Sequence, residues 1–141
     1  MREPAAGSRI YVDRNIFIYF IEKVEPGYAR ARDFFLRASE VGATLCTSEI
    51  TVAECLHKPY RTGDAQLVDT YEFLFERSGD VTLLPLSGAV AKRAAAAGAR
   101  IGLKLVDAIH FVSALDEGCD LFVSADGQFP STPSMAVVSL R

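Results

Sequence analysis

The chain has 141 residues, of which 50% are hydrophobic and 23% charged, and its formal net charge is −3. Such a chain folds as one globular domain, residues 1–141, with a sizeable core, and its composition excludes a disordered or fibrous class. The faintly acidic balance also excludes nucleic-acid binding by broad charge attraction, so any such contact has to come from a local patch.

The apolar runs are interrupted too often to span a membrane. The opening Met1-Arg2-Glu3-Pro4-Ala5-Ala6-Gly7 lacks the apolar centre of a signal peptide, so a cytoplasmic location is expected. Cys46, Cys55 and Cys119 are odd in number, with no C-x-x-C spacing and no clustered histidine. They read as small buried core residues rather than a disulfide framework or a zinc site.

Residues 10–12 are β-branched or aromatic and predict a short buried strand, and residues 16–21 continue apolar as the first turns of a helix. Asp13 lies between them. An ionised acid at the C-terminal end of a strand is costly unless paired, although Asp13 or Asn15 could equally serve as the helix N-cap. Glu25-Pro26-Gly27 breaks the pattern, and Tyr28, Ala31, Phe34, Phe35 and Ala38 then recur at helical spacing, with Arg30, Arg32, Asp33 and Arg37 on the solvated face. Gly42 ends that helix and residues 43–47 predict a second strand. Ser48 caps a helix that runs to about His57 and is stopped by Pro59. Glu54 lies on this helix within two turns of the strand end, though Thr51-x-x-Glu54 also matches a capping box.

Thr62-Gly63-Asp64 predicts a turn and helix start, followed by the apolar stripe Leu67, Val68, Tyr71 and Leu74. Residues 81–86 predict a third strand, Ser87 caps a helix packed through small residues, and Gly98 and Gly102 bracket a break. Residues 103–116 form a helix whose buried face is Leu105, Ala108, Ile109 and Val112. Asp107 falls inside its apolar cover and therefore needs a partner, a polar cleft or a metal. Residues 121–125 predict a fourth strand, followed at once by Asp126-Gly127, which is also a turn signal. Residues 136–140 complete the sheet as an edge strand.

Strands alternate with helices throughout, so parallel strands joined by helical crossovers make an α/β sandwich. The C-terminal strand ends share one edge. Asp13 and Asp126 meet there, with Glu54 and Asp107 reaching in from helices. Carboxylates clustered without His or Cys select hard cations, Mg2+ or Mn2+, and their mutual repulsion calls for one. Such a site suits phosphodiester hydrolysis.

Val12-Asp13-Arg14-Asn15, Thr51-Val52-Ala53-Glu54, Leu105-Val106-Asp107-Ala108-Ile109-His110 and Phe122-Val123-Ser124-Ala125-Asp126-Gly127-Gln128-Phe129, in this order and spacing, resemble the PIN-domain ribonucleases, among them the VapC-type toxins. The likeness spans nearly the whole chain. It implies a PIN-like three-layer α/β/α sandwich with a central, mostly parallel sheet, and an acidic metal site made of Asp13, Glu54, Asp107 and Asp126. Asn15 and Ser124 are implied in supporting hydrogen bonds. The resemblance further implies a Mg2+- or Mn2+-dependent endoribonuclease, an RNA substrate, an antitoxin protein as inhibitor and a homodimer. Arg14 departs from the pattern, since such proteins commonly carry a small or hydroxyl residue there. Other readings are a haloacid-dehalogenase-like phosphatase, for which Asn15 stands where a second acid is needed, and a PIN-like binding module without activity.

Overall fold

Five short runs of apolar residues build the sheet. The computed structural model describes residues 3–140; Met1 and Arg2 of the opening segment, and Arg141, lie outside the described residues. The strands are β1 (Arg9–Val12), β2 (Thr44–Ser48), β3 (Val81–Leu84), β4 (Leu121–Ser124) and β5 (Ala136–Ser139). The helices are α1 (Arg14–Ile21), α2 (Gly27–Val41), α3 (Glu49–Thr62), α4 (Ala65–Glu72), α5 (Gly88–Ile101) and α6 (Leu105–Glu117), with a π-helical turn at Phe73–Arg77 after α4.

All pairings are parallel and the strand order is β3-β2-β1-β4-β5. Chain order therefore runs outward one way from β1 to β3, then returns across the sheet to β4. The place where direction reverses lies between β1 and β4, and in open parallel sheets ligand crevices form at the carboxyl ends of such strands.

Alternation along β1 sorts the core into two layers. Ile10 and Val12 pack with Ile16, Phe17, Phe34, Tyr71 and Phe75 on one face; Tyr11 packs with Phe111, Phe122, Phe129 and Met135 on the other. The result is helix, sheet, helix, the α/β/α sandwich expected. Cys46, Cys55 and Cys119 are all free and buried, and the Cys46 and Cys119 sulfurs stand 3.3 Å apart.

Four expectations are corrected. Pro59 does not stop α3, because the helix closes its last turn onto the Pro59 carbonyl and ends at Gly63, whose left-handed φ of 72° suits glycine. β3 stops at Leu84 because Pro85 has no N–H, and the Leu86 N–H is taken by Glu49 Oε1 at 2.9 Å. Leu105 is exposed rather than buried: it is the first residue of α6, beyond the turns that α5 covers. Gly98 is not a break but lies buried within α5, where an added Cβ would come within 3.0 Å of the Ala108 Cβ and 3.1 Å of the Leu103 carbonyl oxygen. Glycine thus sets the α5–α6 spacing. Gly98→Leu is expected to cost about 2–3 kcal/mol by overpacking, read as a lowered urea midpoint; an unchanged midpoint would contradict this account of the helix pair.

Candidate active site

At the reversal point the β1–β4 ladder continues one residue past Val12, with the Asp13 N–H donating to the Val123 carbonyl at 2.9 Å. This fixes Asp13 at the strand end. Its Oδ1 accepts the Arg14 N–H at 2.8 Å and caps α1, while Oδ2 accepts the Ser124 hydroxyl at 2.8 Å. Cap and site are therefore one residue: the start of α1 orients a carboxylate that the sheet has already placed. Both oxygens keep lone pairs beyond these bonds.

Ser124, fully buried, also accepts the Asp126 N–H at 2.9 Å, so one hydroxyl ties the two strand-end acids together. Asp126 Oδ1 accepts the Gln128 N–H at 3.1 Å, the turn geometry that Asp-Gly signals. The Gln128 side-chain amide donates to Asp126 Oδ2 at 2.7 Å and to Asp107 Oδ2 at 3.0 Å, bridging the two. Asp107 sits in the first turn of α6, where free N–H groups and the helix dipole favour an anion. Burial nevertheless pushes its carboxyl above the ordinary range, and the charges of Asp13 and Asp126 push the same way, against the Arg14 guanidinium. Asp13, Asp107 and Asp126 are thus linked at this sheet edge, Asp13 and Asp126 through Ser124 and Asp126 and Asp107 through Gln128.

Glu54 reaches this edge from α3, but differently. Its Oε2 accepts from Arg14 at 2.8 Å and its Oε1 from His110 Nε2 at 2.7 Å. The capping-box reading fails, since Ser48 caps α3 and the Glu54 side chain points to these partners instead. Asn15, half-buried in the first turn of α1, makes no side-chain hydrogen bond among the described residues, so the support expected from it is not formed. Among the described residues no three His, Cys, Asp or Glu side chains stand as a preformed ligand cage.

His110 and Tyr11 are buried polar residues of this network to which sequence reasoning assigned no role. Both are completely buried. The Ser48 N–H donates to the Tyr11 hydroxyl at 3.0 Å, and that hydroxyl lies 2.6 Å from His110 Nδ1. Burial holds the Tyr11 phenol far above its usual range, so it keeps its proton and donates it to Nδ1. The proton on His110 then resides on Nε2 and is given to Glu54, a tautomer assigned from the bond pattern. Nε2 also stands 3.7 Å from Asp13 Oδ1. A signal existed in the His at the third position after Asp107, one helical turn on and thus on the same side of α6.

A parallel sheet whose strand order reverses between β1 and β4 places the chain in the class of open α/β domains, in which ligand crevices form beyond the carboxyl ends of the strands. The chain belongs to the PIN domain family, whose model matches residues 10–134. No curated protein matches it. Among solved structures it resembles VapC20 of Mycobacterium tuberculosis, a toxin that cleaves the sarcin-ricin loop, with a TM-score of 0.68 at 15% identity over 80% of this chain and 86% of that one. A toxin–antitoxin complex from Klebsiella pneumoniae gives 0.66 at 21% identity, covering 94% of this chain and 98% of that one. VapBC2 of Rickettsia felis, bound to a promoter DNA fragment, gives 0.63 at 15%, covering 92% and 96%. At these identities the likeness is one of fold.

Proposed function

We propose that the protein is a divalent-metal-dependent endoribonuclease and the toxin of a toxin–antitoxin pair. The observation that carries this reading is the convergence of Asp13, Asp107 and Asp126 at one sheet edge, where burial and mutual repulsion press on Asp107. A donor set made of carboxylate oxygens fits Mg2+ or Mn2+. A divalent ion held by these acids would supply an activated water and would neutralise charge developing on the attacked phosphate. The protein's own part is to aim the acids. Ser124 and the α1 N-terminus hold Asp13, the first turn of α6 holds Asp107, and the turn at Gln128 holds Asp126. Tyr11 and His110 orient Glu54, the fourth acid of the site. The overall charge being small, RNA is bound through the cleft and its local contacts rather than a basic face.

Partners follow the same reading. The neighbours from Klebsiella pneumoniae and Rickettsia felis support an antitoxin protein as inhibitor. Phe17, Phe20, Phe35, Leu45 and Leu74 line a cavity of about 400 Å³ that also touches Ala43 and Val81, an apolar groove suited to an inhibitor's amphipathic helix. Those last two mark the amino ends of β2 and β3, opposite the acids, so an inhibitor helix seated there needs a further segment to reach the cleft. Exposed Ile101, Leu105 and Val106, clustered where α5 meets α6, support self-association as a dimer.

End-group mapping tests the chemistry. Attack by water leaves a linear phosphate at one new end, and replacing the ribose 2′-OH beside the cut by 2′-deoxy leaves cleavage intact. A 2′,3′-cyclic phosphate product would show that the RNA's own hydroxyl attacks and would overturn this reading.

A further inference from the structure

Arg14, the residue that departs from the family pattern, occupies a defined place in the cleft. It is the first residue of α1, directly after Asp13, and its guanidinium pairs with Glu54 Oε2 at 2.8 Å. The Arg14 side chain is 35% exposed and that of Glu54 only 18%, so the pair lies at the wall of the cleft rather than free in solvent. Its charge is felt by Asp107 as well. The other oxygen of Glu54 is taken by His110, which is fixed in turn by Tyr11. Both oxygens of Glu54 thus have protein donors, as do those of Asp13 and Asp126; what sets Glu54 apart is that one of its donors is a guanidinium, a cation that never deprotonates, where the two aspartates accept from backbone N–H, hydroxyl and amide groups.

Charge arithmetic gives this pair a consequence. Four carboxylates and one guanidinium leave the cleft at −3, and one divalent ion reduces that to −1. A second ion would make the cleft net positive and would have to take Glu54 from Arg14 and His110 together. We infer that Arg14 is a resident cation of the cleft, which engages Glu54 as its counter-ion and limits the site to a single divalent ion held by Asp13, Asp107 and Asp126. This rests on the metal-dependent reading and narrows it: Glu54 is a positioning residue for Arg14, and the ion's own ligands are the three aspartates. A small or hydroxyl residue at position 14 would free Glu54 for a second ion.

Manganese binding, not cleavage, is the readout. Metal-stripped protein is titrated with Mn2+ by calorimetry, and free Mn2+ is counted by its electron paramagnetic resonance signal. The native chain and Arg14→Lys, which keeps the charge, are expected to bind one Mn2+ each. Arg14→Ser is expected to bind a second, or to bind the first at least 10-fold more tightly; Arg14→Gln serves as a second charge-free variant should the serine protein melt early. Two ions on the native chain would overturn the inference. So would one ion of unchanged affinity in both charge-free variants, and that outcome leaves the metal-dependent reading standing. No Mn2+ bound at millimolar concentration by any of the four proteins would overturn both.

Discussion

Asp107→Asn is expected to lower RNA cleavage by about two to four orders of magnitude, the scale for loss of a group that supports metal-assisted transition-state charge, while its melting temperature stays equal to or above that of the parent. The stability sign follows from the raised carboxyl pKa. A folded-state acid that titrates above its unfolded value is disfavoured in its charged form, so its contribution to stability is present at low pH and lost as pH rises through the folded value. At neutral pH the charged form is a burden, which the amide removes while keeping an acceptor for Gln128. Asp13→Asn should lose activity to a similar degree, but with a different stability. It caps α1 and accepts the Ser124 hydroxyl, so replacing it costs about 1 kcal/mol from weakened bonds. Cleavage that survives in both variants would remove these acids from the chemistry.

His110→Ala should have the largest effect on the fold. The ring is completely buried, and its loss leaves a cavity together with a Tyr11 O–H that has lost its acceptor and a Glu54 oxygen that has lost its donor. Each orphaned polar group costs about 1–3 kcal/mol, and the cavity adds to it. A loss of roughly 3–5 kcal/mol lowers the melting temperature by about 10–15 °C in a chain of this size. His110→Gln, which offers one acceptor and one donor, is expected to recover part of that loss. Melting of the alanine variant within about 3 °C of the parent would show that the Tyr11–His110–Glu54 chain contributes little.

The placement of Asp13 and Asp126 at one strand edge was legible because each acid directly follows a predicted strand, and the alternation of elements dictates a shared edge. Asp107 was legible as a charge inside an apolar helix face. His110 was not: one polar residue three positions on from that acid looks like a satisfied core histidine until β1 is known to bring Tyr11 beside it. Tyr11 in turn reads as an ordinary strand aromatic, since its hydroxyl partner Ser48 lies 37 residues away. The place of Arg14 depended on the same kind of long-range fact, because its partner Glu54 comes from a helix three elements further along. Pro59 and Gly98 misled for the opposite reason. Their usual meaning is to break helices; at Pro59 the local cap through Gly63 closes the helix onto its carbonyl, and at Gly98 the close approach of Ala108 overrides it.

The central claim, that the acids at the β1–β4 reversal act together as a divalent-ion site for RNA cleavage, is tested most directly by cleavage of RNA by metal-stripped protein. Activity should vanish in EDTA, return on adding Mg2+ or Mn2+, and stay absent in Asp107→Asn at the same metal concentrations. Undiminished cleavage in EDTA, or full rescue of Asp107→Asn by either ion, would contradict it.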